Sequence, residues 1–355
     1  MSKVFIVAGE LSGDKLGAWY AKRLLKEDPK IKIHAVGGDF LKSAGAGLFD
    51  RFEKLNVVGI VEILKHLRFI FKFMKKLTDH IINNNYDHVV VVDFPGFNLR
   101  LVKRLKKANP DIKITYLSPP QLWIWGEGRI KIIKKYCDEV IVLYPFEVNW
   151  YKKRGVDVVW LGYPFYEKFK PFFSQSERNK NRIALIPGSR SIEIKRLLPL
   201  FARVFCNLQR VHPDLKVVIP LAESVKKDVV EKELTRVGLK NFSIIKGEQE
   251  KFKALSSCRL ALTKPGTVTL ELALLGISAI VAYKASWISY VLAKMLVNIK
   301  QMSLPNLLLG DLVYPEFIQG DCTEQKLTHV VRELYENGDG EVQEKLVRLR
   351  EILKS

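Results

Sequence analysis

The sequence predicts an α/β protein of two Rossmann-like, doubly wound domains that face a cleft. Three observations predict it. Short, apolar, β-rich runs alternate with helical patterns, as in parallel sheets covered on both faces; the alternation restarts halfway along the chain; and the chemically informative residues stand just after strands. A chain of 355 residues is long for a single core and suits two domains. We place the first at 1–165, a polar linker rich in Lys, Phe and Ser at 166–181, and the second at 182–355.

The first half carries strands at 4–8, 31–36, 88–92, 112–117 and 139–143, with a helical stretch at 15–25 after the first turn. The second carries strands at 182–186, 215–220, 242–245, 260–263 and 279–282. The stretch 323–354 reads as a charged amphipathic helix, its last part expected to pack back on an N-terminal domain, its own or a partner's. Ligands of open α/β sheets bind beyond the carboxyl ends of the strands, so the turns there hold the candidate sites.

Composition narrows the function. Lys and Arg total 58 against 38 acidic residues, a net charge of +20, which points to a polyanionic partner: nucleic acid, an anionic membrane surface or a phosphorylated substrate. The four cysteines are scattered and the six histidines lack ligand spacing, so free thiols, no metal and no cofactor are expected. No apolar run approaches the roughly 20 residues of a spanning helix, and no signal-peptide pattern opens the chain. A soluble or peripheral protein is the expectation.

Two turns in the second half suit an anion. Gly188, Ser189 and Arg190 follow the strand at 182–186 and precede a helix, where backbone amides and a guanidinium can meet phosphate oxygens. Gly266 and Thr267 likewise open a helix after the strand at 260–263, and Glu271, one turn in, can accept hydrogen bonds from ribose hydroxyls. Ordinary strand-to-helix turns, with Thr267 or Thr269 as a cap, remain open. There is no GxGxxG after the first strand and no Walker lysine.

In the first half, Asp93 ends the apolar strand at 88–92 and is a candidate general base, its apolar neighbours raising its pKa; a turn-capping Asp is the alternative. Asn98 shares that turn, and the loop of Glu10, Ser12, Gly13 and Asp14 follows the first strand over the same cleft. From Ile60 to Leu77 a stripe of Ile60, Ile63, Leu64, Leu67, Ile70, Phe71, Met74 and Leu77 reads as core. Phe69 lies opposite that stripe and Phe73 beside it. With Lys65, Lys72 and Lys76 they read as an interfacial patch for acidic lipid, or as a partner interface. The stretch 283–300, with Trp287 and Tyr290 among lysines, reads the same way. Trp123 and Trp125 suit either sugar stacking or core filling.

Six motifs in order resemble the lipid-A-disaccharide synthase family across residues 4–327. They are Gly9-Glu10-Leu11-Ser12-Gly13-Asp14, the segment from Asn56 to Glu62, Asp93-Phe94-Pro95-Gly96-Phe97-Asn98, Pro187-Gly188-Ser189-Arg190, Ser303-Leu304-Pro305-Asn306-Leu307 and Pro315-Glu316-Phe317-Ile318-Gln319. The resemblance implies a GT-B fold and an inverting, metal-independent transferase. The enzyme would join UDP-2,3-diacylglucosamine to 2,3-diacylglucosamine 1-phosphate (lipid X) on the cytoplasmic face of the inner membrane of a Gram-negative bacterium. It implies Asp93 as general base, a UDP site that includes Arg190, Glu271 and Asn306, and a membrane or acyl-chain patch at Val57, Val58 and Ile60 onward. Gly126 and Tyr163 depart from the family pattern, which has Arg and His there; either Arg129 is the stand-in for the missing arginine or that arginine is dispensable. Rival readings are a UDP-N-acetylglucosamine enzyme of the same fold (an epimerase or an undecaprenyl-linked transferase) and a non-catalytic nucleic-acid binder. The chain has no helix-turn-helix, RNA-recognition or zinc signature, so no nucleic-acid partner is expected. Monomer and homodimer both remain open.

Overall fold

The computed structural model describes residues 2–54, 60–173, 178–222, 225–285 and 301–354. The chain divides into two compact units, Met1–Pro164 and Phe165–Lys354. The first holds β1 (Lys3–Ala8), β2 (Lys32–Gly37), β3 (Gly47–Arg51), β4 (His88–Val92), β5 (Lys113–Leu117), β6 (Glu139–Val142) and β7 (Val159–Trp160), in the order β3-β2-β1-β4-β5-β6-β7. The second holds β8 (Asn179–Ile186), β9 (Lys216–Pro220), β10 (Phe242–Ile245), β11 (Cys258–Thr263), β12 (Ser278–Tyr283) and β13 (Glu316–Ile318), in the order β10-β9-β8-β11-β12-β13. Every neighbouring pair runs parallel.

The central strands of a covered parallel sheet must be apolar on both faces, and here they are over most of their length. In β1, Phe5 and Val7 join a core with Phe73, Met74, Leu77 and Ile81 of the helix Ile60–Asn83, while Val4, Ile6 and Ala8 are equally buried on the opposite face. In β8, Ile183 and Leu185 pack under the helix Ser191–Val211, and Ala184 is buried on the other side. Strand order reverses between β1 and β4 in the first sheet and between β8 and β11 in the second. At such switch points the turns leaving two adjacent strands diverge and open a crevice. The turns carrying Glu10 and Asp93 share the first of them; those carrying Ser189 and Gly266 share the second.

Several expectations need correcting. The edge strands β3, β7 and β13 are additional to those predicted, being short and only partly buried. The span 166–181 is not a bare linker: Tyr166–Phe169 is helical, Phe169 is buried with its ring 5.0 Å from that of Phe252, and β8 begins at Asn179. The expected C-terminal helix is two, Glu324–Asn337 and Gly340–Leu353, parted at Gly338, whose φ of +89° no helix can hold. The last helix packs on the second unit. Leu346, Leu349 and Leu353 are buried, and Arg350 Nε donates to Leu274 O at 3.0 Å. No described helix is long and apolar enough to cross a membrane.

Asp14 is also not an open loop residue. Its wholly buried carboxylate accepts from Gly38 N (2.7 Å), Phe40 N (3.0 Å) and Leu41 N (3.2 Å), capping the helix Asp39–Ser43 from another element. Replacing it by alanine strands three buried donors. Asp14→Ala is expected to lower unfolding free energy by on the order of 3 kcal/mol in denaturant titration, and a loss below about 0.5 kcal/mol would contradict this role.

Candidate functional site

At the front switch point Asp93 and Phe94 both adopt left-handed backbone, with φ of 44° and 45°. Two successive non-glycine residues in that region cost roughly 1–3 kcal/mol each and need external support. The support is visible. Asp93 N donates to Leu117 O at 3.0 Å, and Asp93 O accepts both Asn98 Nδ2 (2.8 Å) and the Tyr116 hydroxyl (2.9 Å). Gly9 completes the arrangement, since a Cβ there would overlap the Phe94 ring. The turn ties the loops after β1, β4 and β5 together and fixes where the Asp93 side chain begins.

That side chain is partly buried, and its carboxyl is pushed up to about 6. Burial is the main cause and the negative charge of Glu10 the second, with the Phe94 N–H working against both. A carboxyl with such a pKa is a usable base near neutrality. Glu10 itself accepts Ser12 Oγ at 2.5 Å, and Gly13 lies against Ala8 and Val92 O. Asn98 is wholly buried: its Nδ2 donates to Val92 O (3.1 Å) and Asp93 O, while its Oδ1 has no hydrogen-bond partner among the described residues. It braces the turn.

Residues beyond the predicted set stand behind Asp93. Tyr116 and Tyr144 are buried phenols that feel its charge. Glu147, buried after β6, accepts Trp123 Nε1 (3.1 Å), Leu143 N (3.1 Å) and Tyr144 N (3.0 Å), yet burial still lifts its carboxyl to about 7. The signal for it was Pro145-Phe146-Glu147 directly after a strand, a helix-start pattern with a carboxylate at its third position. Trp123 is thereby tied to Glu147 and packs edge-on against Phe146. Arg129, the expected stand-in, folds back instead: its guanidinium lies 4.2 Å from the centre of the exposed Trp125 ring and bonds Trp125 O and Gly126 O.

The helix Ile60–Asn83 divides its aromatics differently from the periodicity reading. Phe73 is 5% exposed, part of the core and 6.2 Å from Phe97, whereas Phe71 is 54% exposed and Phe69 39%. The core-facing stripe is rotated because Phe97 takes a partner from this helix. Lys72 and Lys76 are exposed, Lys76 lying 5.3 Å from the Phe49 ring centre. Val57 and Val58 fall outside the described residues, as do the side chains of Ile60 and Lys65 and the residues 286–300.

At the rear switch point a pocket of about 220 Å³ brings together Gly188, Ser189, Gly266, Thr267 and Glu271, with Lys251 and Lys264 in its wall. Its two turns are not alike. Glu193, whose side chain is 6% exposed, folds back so that Oε2 accepts Ser189 N (3.1 Å) and Arg190 N (3.3 Å), while Oε1 pairs with Lys264 Nζ at 3.1 Å. Burial raises its carboxyl, but Lys264 and the two amides outweigh that and hold it below the usual range. Gly188, at φ +130°, leaves the room that Glu193 takes. The amides of the first turn are therefore already committed to a carboxylate. The second turn, where Gly266 precedes the helix Thr267–Leu274, has no such internal anion among the described residues, and Thr269 Oγ1 closes it by donating to Gly266 O at 2.7 Å.

Two predicted donor residues lie off this pocket. The Arg190 side chain is 81% exposed and does not line it. Asn306 is wholly buried and saturated: Nδ2 donates to Tyr314 O (2.8 Å) and Glu316 Oε1 (2.9 Å), and Oδ1 accepts Val313 N (2.9 Å) and Tyr314 N (2.8 Å). It holds the approach to β13 and offers no group to a ligand.

Comparison with known proteins sets these sites in a family. The lipid-A-disaccharide synthetase family model matches residues 4–355. The lipid-A-disaccharide synthase of Geobacter metallireducens is 32% identical over 333 residues, 92% of this chain and 85% of that protein. That of Coxiella burnetii is 35% identical over 342 residues, 94% and 89%. Among solved structures, UDP-GlcNAc 2-epimerase from Neisseria meningitidis bound to UDP-GlcNAc superposes with a TM-score of 0.63 over 98% of this chain and 94% of that one, at 14% identity. That likeness extends to the two-domain α/β fold of the GT-B type. With the family model spanning nearly its full length, the chain belongs to the lipid-A-disaccharide synthase family, whose members are glycosyltransferases.

Proposed function

We propose that this enzyme transfers 2,3-diacylglucosamine from UDP-2,3-diacylglucosamine to the 6-hydroxyl of 2,3-diacylglucosamine 1-phosphate, giving the β-1,6 disaccharide 1-phosphate and UDP. Family membership supports the substrates. The observation that carries the mechanism is Asp93, a partly buried carboxyl raised to about 6 on a braced turn at the front switch point.

In this reading the front domain takes the acceptor and the rear domain the nucleotide. Asp93 accepts the proton of the acceptor 6-hydroxyl as its oxygen bonds to the anomeric carbon. The bond from that carbon to the UDP oxygen breaks, and UDP leaves with the electron pair. One displacement through an oxocarbenium-like transition state inverts the centre. Charge developing on the diphosphate meets the amides at the Gly266–Thr267 helix start, with Lys264 beside them; Arg190, exposed and off the pocket in this structure, turns inward when the nucleotide binds. In this reading these groups take the place of a cation, and the transfer is metal-independent. The enzyme works on the cytoplasmic face of the inner membrane, held by Phe69, Phe71 and the lysines of their helix.

Asp93→Asn keeps the shape and removes the base. Incubated with the acylated UDP-sugar and lipid X, it should turn over about 10²–10⁴-fold more slowly; near-normal turnover would exclude Asp93 as the base. Because the base acts ionised, wild-type kcat/KM should fall as pH drops through about 6. The same variant should be more stable than wild type by roughly 1–3 kcal/mol at neutral pH, since it removes a desolvated charge. A carboxyl raised from 3.8 to about 6 penalises folding in full above the higher value and not at all below the lower, so the gain should vanish below about pH 4.

The changes Phe69→Ser and Phe71→Ser together should weaken binding to vesicles containing anionic lipid by about tenfold or more, with folding intact. Unchanged binding would place the membrane contact elsewhere.

A further inference from the structure

The rear pocket contains a charge that does not belong there by itself. Its second turn, with Gly266 and Thr267, is arranged for an anion, and Lys264 adds a cation to the wall. Yet Glu271 lines the same space one helical turn further on. A bare carboxylate in the same pocket would repel the charges of a bound phosphate, since like charges this poorly solvated are weakly screened.

Lys251 removes the conflict. It comes from a different element, the helix Glu248–Ser256, and its Nζ lies 2.5 Å from Glu271 Oε2, both side chains being mostly buried. The ammonium is itself held in place, 5.0 Å from the ring centre of Phe252, which is buried against Phe169. Glu271 Oε1 has no hydrogen-bond partner among the described residues. Glu193, behind the first turn, differs: it is also paired with a lysine, but both its oxygens are engaged within the chain. Glu271 is thus the neutralised carboxylate with an oxygen left to offer, and an ionised carboxylate can only accept hydrogen bonds, which suits hydroxyl donors.

We propose that Lys251 is the positioning residue that lets Glu271 read the ribose hydroxyls of a uridine nucleotide in this pocket, by fixing its rotamer and cancelling its charge against the diphosphate. This rests on the reading above that the pocket takes the UDP portion of the donor.

The test compares UDP with 2′,3′-dideoxy-UDP by calorimetry on the full chain as wild type, Lys251→Met and Lys251→Arg. Wild type should prefer UDP by about 10–100-fold, the range expected for hydrogen bonds to a charged group. Lys251→Met should weaken UDP at least about tenfold but the dideoxy nucleotide less than about threefold, so that the preference collapses. Lys251→Arg, which retains the charge, should keep most of it. If Lys251→Met weakens both nucleotides equally, Lys251 acts as a general phosphate cation and the proposal is wrong. A preference untouched by Lys251→Met would also overturn it, because Glu271 would then not depend on the lysine. If wild type binds no UDP, the assignment of the pocket fails first, and the role of Lys251 fails with it.

Discussion

Parallel strand pairing is the constraint from which the rest follows. Each sheet runs all its strands one way, so within each unit every carboxyl end lies along one edge, and the strand order reverses once along that edge. In both units the two turns at the reversal are the ones carrying the candidate chemistry: Gly9–Glu10 beside Asp93 in the first, Gly188–Ser189 beside Gly266–Thr267 in the second. The apolar runs that make these sheets possible also anchor the turns, because each follows two strands whose carboxyl-terminal halves are buried.

The units treat carboxylates in opposite ways. In the first, burial raises the proton affinity of Asp93 and Glu10 adds a like charge, with no cation beside it among the described residues. In the second, Glu193 and Glu271 are each matched by a lysine, Lys264 and Lys251. A proton acceptor needs a carboxyl poised near neutrality, whereas a polyanion site needs its carboxylates silenced. The same side-chain chemistry serves both tasks, and the neighbours decide which.

Much of this was legible in the sequence. Strands such as HVVVV announce themselves, and a Gly, Asp or Glu placed just after a strand is informative because parallel sheets put function there. What stayed hidden depended on partners distant in the chain. Asp14 looked like a loop acid because nothing local shows that Gly38 N, 24 residues on, would claim it. Asn98 and Asn306 looked like ligand groups and instead pair backbone atoms that burial would otherwise orphan. Phe71 and Phe73 exchanged places because helical spacing defines a face but does not say which way it turns until Phe97 packs against it. The short edge strands β3, β7 and β13, half wet, carry too little apolar signal to stand out. Lys251 sits in a charged helix that reads as plain surface.

The central claim is that a braced left-handed turn holds one carboxyl in an environment that raises its proton affinity. The most direct measurement is a pH titration of the Asp93 side-chain carboxyl carbon by NMR on selectively ¹³C-labelled protein, assigned with the Asn variant. The account predicts a midpoint near 6, and one at the ordinary 3.8 would contradict it.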